Sequence, residues 1–318
     1  MSASPAIVVS SLTKHFGEVR AVDGLSFEVY AGEIFGLVGP DGAGKTTTLR
    51  VLSGVMDTDS GSVNIGGCDV VRDPESAKSL LSYMSQRFGL YEDLTVDENI
   101  RFYADLFGVR RKQRIKRSQE LLMAAGLGDF RGRLAGNLSG GMKQKLGLVC
   151  ALIHTPKVLL LDEPTNGVDP VSRRDFWRIL YSLVAEGVAI LISTSYLDEA
   201  ERCHRVGLLH QGSMLFCDRP EELKRRFPGE ILAVHAEHPE QARAALVGAP
   251  GVRSALLVGD HVHLFVDAAS RRIDDLRSRL ESAGISYDSL QPVAPTIEDL
   301  FVSAVETKAG SGPEAGSS

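Results

Sequence analysis

No stretch of the 318-residue sequence is long and apolar enough to cross a bilayer. A spanning helix needs roughly 20 apolar residues in a row. The densest runs, residues 146–153 and 188–192, have the size of buried core segments. Cysteine is scarce as well. Cys68, Cys150, Cys203 and Cys217 lie far apart with no CxxC pair, which reads as free thiols in a reducing cytosol and not as a disulfide framework. Nor is basic charge in excess. Lys and Arg number 35 against 41 Asp and Glu, a net charge of −6, whereas a nucleic-acid binder presents a basic face. No nucleic-acid partner is expected. The opening residues, MSASPAIVV, show no charged region leading into an apolar one, so no secretory signal is expected. If the chain works at a membrane, the membrane part must sit on another chain.

What is present is ordinary for a globular protein: 43% hydrophobic and 24% charged residues. The length suffices for one to three domains with real cores. Up to about residue 227 strand-like and helix-like segments alternate, which implies an α/β core. Leu25, Phe27 and Val29 alternate with polar residues as in a half-buried strand. Residues 158–161 and 188–192 are continuous apolar runs, typical of parallel strands buried on both faces. Helical periodicity covers 97–126 and 170–183. Beyond Pro228-Gly229 the order becomes β-α-β-β-α-β, with a hairpin closed by Gly259-Asp260, which predicts a small ferredoxin-like α+β domain over 230–306. A last helix starts at Thr296, with Glu298 and Asp299 placed to favour its N-terminus. Residues 307–318 are rich in Gly, Ser and Pro and are expected to be a disordered tail.

The strongest motif runs Gly39, Pro40, Asp41, Gly42, Ala43, Gly44, Lys45, Thr46. It matches GxxxxGK[ST] between a predicted strand and a predicted helix, the context a phosphate-binding loop requires. Glycines let successive N–H groups turn inward on phosphate oxygens, and the helix start adds its positive dipole end. Lys45 supplies a point charge for the terminal phosphates, and the Thr46 hydroxyl is placed to ligate Mg²⁺. A second carboxylate site follows at the end of the apolar strand 158–161. There Asp162 is placed for the Mg²⁺ shell and Glu163 to polarise an attacking water as general base. A further anion cradle is read in Leu138, Ser139, Gly140, Gly141 and Met142. Ser139 is the helix N-cap, and two glycines leave the first amides open.

This ordered set, over about residues 5–225, resembles the ATPase subunits of ABC transporters. The resemblance implies a P-loop ATPase domain over 5–227 with a RecA-like core, an antiparallel β subdomain and a helical subdomain at about 90–150. It implies ATP and Mg²⁺. Phe16 sits where the family stacks an aromatic on adenine, and Thr47 follows the loop in the ATP-binding set. Gln86 matches the glutamine that reaches Mg²⁺ and senses the transmembrane partner. LSGGM resembles the LSGGQ signature with Met142 for glutamine, and the run from Asn166 to Asp169 resembles the loop that crosses a dimer interface. The family arrangement is a head-to-tail pair, as homodimer or heterodimer with a second ATPase domain. Each ATP then lies between one copy's phosphate loop and the other's Ser139, Gly140, Gly141 and Asp169. A permease on a separate chain is implied, with this subunit cytoplasmic and peripheral on the inner face of the cell membrane. Residues 87–100 are expected near the coupling helices of that permease, and the motif variants resemble ABC-2 type drug exporters. One departure stands out: Ser195 occupies the family's histidine position. Serine is shorter and carries no charge, so impaired hydrolysis, or pairing with a histidine-bearing partner, is one expectation. The alternatives are a soluble ABC-type ATPase not coupled to transport and an ATP-holding regulatory subunit.

Two features read as structural. His261 and His263 share a strand face with no third metal ligand evident, so a solvated face is expected. The basic run 110–117 reads as a solvated helix face.

Overall fold

The computed structural model describes residues 4–86 and 89–310. The chain divides into two compact units between Arg219 and Pro220. In the first, the elements run β1 (Pro5–Phe16), β2 (Val19–Tyr30), β3 (Ile34–Val38), α1 (Lys45–Leu52), β4 (Ser60–Ile65), β5 (Cys68–Asp69), α2 (Pro74–Leu80), β6 (Leu81–Met84), α3 (Val96–Leu106), α4 (Arg111–Ala124), α5 (Gly140–Leu152), β7 (Val158–Asp162), α6 (Pro170–Ala185), β8 (Ala189–Thr194), α7 (Leu197–Ala200), β9 (Arg205–His210) and β10 (Ser213–Asp218). The second holds α8 (Pro220–Arg225), β11 (Glu230–Ala236), α9 (Pro239–Leu246), β12 (Val252–Val258), β13 (His261–Val266), α10 (Ala269–Ser282), β14 (Tyr287–Val293) and α11 (Ile297–Gly310).

Two sheets organise the first unit. The antiparallel one has the order β2-β1-β4-β5. In β2 the alternation seen in the sequence is the packing pattern: Leu25, Phe27 and Val29 are buried and the residues between them exposed. The second sheet has the order β10-β9-β3-β8-β7-β6. Its strands β9, β3, β8, β7 and β6 are parallel, with β10 antiparallel at the edge. Every residue of β3, β7 and β8 is buried, which is why those runs carry no alternation. The helical stretch read as continuous over 97–126 is two helices, because Gly108 adopts a positive φ after α3 and Arg110 is extended before α4. The basic run opens α4, where Arg114 pairs with Asp105 at 2.7 Å. Of the segment expected near a permease, residues 87 and 88 lie outside the described residues.

The second unit is a four-stranded antiparallel sheet of order β12-β13-β11-β14. That is the ferredoxin-like order. Leu232, Val234, Val262 and Leu264 face one side and form a core with Leu246, Leu276 and Leu280 of α9 and α10. Strand alternation turns His235, His261 and His263 to the other side. The expectation of a solvated His face fails at His263. It is buried, and its Nδ1 donates to Asp299 Oδ1 of α11 at 2.8 Å. The same Asp299 accepts from the Thr296 amide and hydroxyl, while its own amide donates back to Thr296 Oγ1, a reciprocal cap. Helix α11 continues to Gly310, into the stretch expected as tail, because Lys308 and Ala309 are good helix formers and glycine is the first breaker. Residues 311–318 lie outside the described residues.

Burial alone pushes the Asp299 carboxyl up, but the bonds from His263 and Thr296 outweigh it and leave the group below its ordinary range. A carboxyl lowered in the folded state stabilises above its unfolded pKa, near 4, and loses that contribution as pH falls through the lowered native value. Asp299→Ala is therefore expected to cost this unit about 2–3 kcal/mol at neutral pH. Amide exchange in β13 measures it, and unchanged protection would remove the pair from the account.

Candidate functional site

Four loops meet because four strands are parallel. Val38 pairs with Thr194, Ile192 with Leu161, and Leu161 with Met84, so β3, β8, β7 and β6 end at one edge. Ligands of open α/β sheets sit at that carboxyl edge. The loops that follow carry the phosphate motif, Ser195, Glu163 and Gln86 respectively. They enclose a cleft of about 690 Å³ lined by Asp41, Gly42, Ala43, Gly44, Lys45, Thr46, Thr47, Gln86, Glu163, Asn166 and Ser195. Its remaining wall is the β1–β2 turn region, including Phe16 and residues 19–21. Phe16 is half exposed and lines the cleft.

The phosphate loop is held open by glycine. A Cβ on Gly39 would lie 2.3 Å from the Leu209 carbonyl oxygen, and one on Gly44 would lie 2.3 Å from that of Ala21. Gly44 also has φ 102°, a backbone that other residues rarely adopt. α1 begins at the next residue, so its first amides face the cleft. Lys45 is 4% exposed. Its Nζ donates to the Gly39 carbonyl at 2.9 Å and the Pro40 carbonyl at 3.1 Å, and lies 3.1 Å from Glu163 Oε1.

Asp162 and Glu163 divide the work of the carboxylate site. Asp162 is buried at the end of β7. Its Oδ1 accepts from Thr46 Oγ1 at 3.0 Å and Ser193 Oγ at 2.7 Å, and its Oδ2 accepts from Tyr83 OH at 3.2 Å. Burial first, and then the Asp162 charge, push the Tyr83 phenol up to about 12, so it stays a donor. The Thr46 hydroxyl and the Asp162 carboxylate make a hard oxygen pair, the donor chemistry Mg²⁺ prefers. Gln86 faces Glu163 instead: its Nε2 donates to Glu163 Oε2 at 3.3 Å, joined there by Asn166 Nδ2 at 3.4 Å.

Glu163 stands in a left-handed conformation, φ 46°. Such a backbone is costly for a residue with a Cβ and persists only where its surroundings fix it. Here Ser193 fixes it, since both its carbonyl and its Oγ accept from the Glu163 amide, at 3.1 and 3.0 Å. The turn swings the carboxylate off the strand axis and into the cleft.

Ser139, Gly140, Gly141 and Asp169 are not among the residues lining this cleft. Ser139 is the N-cap of α5, accepting from the Met142 amide at 3.3 Å. Asp169 caps α6, and the Ser172 amide it accepts holds its carboxyl below the usual range. The two glycines differ. Gly140 has open space at its Cβ position and is exposed, so its amide is reachable. A Cβ on Gly141 would lie 2.4 Å from Ser172 Oγ, so that glycine is needed for packing against the start of α6. Sequence reasoning passed over Tyr83, Ser193 and Asn166 as functional residues. Strand register brings Tyr83 and Ser193 to Asp162, whereas Asn166 reaches Glu163 from three residues further along the same loop.

A phosphate loop, a lysine and a carboxylate pair at the carboxyl edge of a parallel sheet define the class of P-loop nucleotide-binding proteins. The family model described as ABC transporter matches residues 22–166. The chain is 44% identical over 301 residues to the probable multidrug ABC transporter ATP-binding protein YbhF of Escherichia coli (strain K12), covering 93% of this chain and 51% of that protein. It thus spans about half the length of that relative. It is 33% identical over 302 residues to the daunorubicin resistance ATP-binding protein DrrA2 of Streptomyces coeruleorubidus, covering 93% of this chain and 94% of that one. A solved ATP-binding subunit of an ABC transporter superposes with a TM-score of 0.65 at 30% identity, over 70% of this chain and 93% of the other. The chain belongs to the ATP-binding subunits of the ABC transporter family. Among the described residues no helix is long and apolar enough to cross a membrane.

Proposed function

We propose that this chain binds and hydrolyses ATP to power an exporter whose permease is a separate chain. The observation that carries the reading is the Glu163 carboxylate, turned into the cleft beside the phosphate loop and within 3.1 Å of Lys45. Lys45 and the loop amides hold the phosphates, Phe16 stacks on the base, and Glu163 takes a proton from the attacking water. Thr46 and Asp162, with Gln86 nearby, would hold Mg²⁺, which when bound neutralises charge developing on the phosphates. Ser139, Gly140, Gly141 and Asp169 act across a head-to-tail dimer, on the ATP of the second ATPase domain. Ser139, Gly140 and Asp169 are exposed, and none of the four lines its own chain's cleft, which supports that assignment. Closure of the dimer pushes on the permease, and hydrolysis reopens it. The relatives' names, multidrug and daunorubicin resistance, support drug-like cargo; a separate permease would hold this subunit on the inner face of the cell membrane.

Purification from detergent-solubilised native membranes tests the coupling. A co-purifying integral membrane protein whose presence stimulates ATP turnover is expected. A chain that elutes alone, with the same turnover as in membranes, would favour an uncoupled ATPase.

Ser195 supports a second reading, slow hydrolysis, because it lines the cleft where the family carries histidine. A charged hydrogen bond to the reacting phosphate is worth about 1.5 kcal/mol or more, so Ser195→His is expected to raise turnover roughly tenfold. An unchanged rate in steady-state ATPase assays would show that serine does not limit the reaction.

A further inference from the structure

One end of the sheet in the second unit gathers three metal-ligating side chains that the nucleotide reading leaves unused. β11 and β13 are antiparallel with His235 directly opposite His261. Cross-strand partners share a face of the sheet, and the two imidazoles stack with centroids 4.6 Å apart. Asp260, in the turn that joins β12 to β13, adds a carboxylate: its Oδ1 lies 3.0 Å from His261 Nδ1. One donor atom from each of His235, Asp260 and His261 falls within 4.8 Å of the others. The sequence shows two histidines on one strand; the register replaces His263, which is held by Asp299, with His235 and adds the turn carboxylate.

We propose that His235, Asp260 and His261 bind one divalent transition-metal ion of the zinc class, with water completing the coordination. Imidazole donors select Zn²⁺, Co²⁺, Ni²⁺ or Cu²⁺ over Mg²⁺ and Ca²⁺. Bonds of about 2.1 Å in a tetrahedron put donors roughly 3.4 Å apart, so a set that spreads over up to 4.8 Å must contract by at most about 1.4 Å. Asp260 has the freedom to supply that movement, since its side chain is 93% exposed. The two histidines are half-buried and keep their backbone fixed in the paired strands. The carboxyl is held below its usual range chiefly by the His261 hydrogen bond, with His235 acting in the same direction. A bound ion would tie the β12–β13 turn to β11.

The probe is Co²⁺ alone, added to the untagged, chelator-treated full-length chain. One saturable equivalent with visible d–d absorption is expected, displaced by Zn²⁺. His235→Ala/His261→Ala should abolish it while leaving the binding of a fluorescent ATP analogue unchanged. His235→Gln/Asp260→Asn is the second variant should the first fold poorly. Co²⁺ binding that persists in either folded variant, for example on the free thiols Cys68 and Cys217, would overturn the assignment. So would the absence of any saturable binding to the parent chain.

Discussion

Glu163→Gln is expected to lower ATP turnover by about 10²–10³-fold, in the range that loss of a general base produces, while ATP still binds. The substitution is close to isosteric, so it isolates the proton-accepting role. The side chain keeps an oxygen for Gln86 Nε2 and Asn166 Nδ2, and Lys45 keeps the carbonyls of Gly39 and Pro40. The left-handed backbone at 163 is unaffected, because Ser193 holds it through the main-chain amide. What disappears is the charge and the basicity. With hydrolysis blocked and binding intact, ATP and Mg²⁺ should accumulate a closed dimer, visible by size-exclusion chromatography with light scattering. Parental turnover would remove Glu163 from the role of base. A loss of ATP binding would instead show that the carboxylate holds the loop in shape.

The local parts of this site were legible in the sequence, and the parts that depend on register were not. The phosphate loop is contiguous, and each of its residues has a backbone or charge reason at a fixed spacing, so residues 39–46 announce themselves. Asp162 and Glu163 follow directly from an apolar run that ends in two acids. Ser193 and Tyr83 could not be assigned that way. Ser193 meets Asp162 because β8 pairs with β7 residue by residue, and Tyr83 reaches the same carboxylate from β6. No periodicity encodes which strands become neighbours. In the second unit the β-α-β-β-α-β order was readable from alternation, and it fixes which face each strand residue takes. It did not reveal that His263 would be buried, because that depends on Asp299 arriving 36 residues later on α11. Gly140 and Gly141 look equivalent as letters. Only the packing of α5 on α6 separates the accessible amide from the glycine forced by Ser172.

Lys45→Ala is expected to weaken ATP binding by roughly 30- to 150-fold, about 2–3 kcal/mol, and to abolish turnover. Two opposing terms set this size. A unit positive charge about 4 Å from a phosphate charge is worth about 4 kcal/mol at an effective dielectric near 20. Against that, incoming phosphate must compete with Glu163, which already holds the Lys45 ammonium at 3.1 Å, both groups being almost buried. Part of the attraction is thus spent on exchanging one anion for another. The competition makes a second outcome follow: Glu163→Gln removes the rival, so the parent lysine should bind ATP more tightly in that variant. The two effects then cannot add. In the double variant the tightening vanishes, since there is no ammonium left to release, and the coupling measured by a double-mutant cycle should fall in the range of about 0.5–3 kcal/mol. Fluorescent-nucleotide titration of the four proteins gives that cycle directly. The Lys45→Ala protein also leaves the Glu163 carboxylate without its cation, so its thermal midpoint is expected to drop, and the Glu163→Gln change should restore it. Additive binding energies, or an unshifted midpoint in Lys45→Ala, would mean that the pair does not link the phosphate loop to the carboxylate that follows β7.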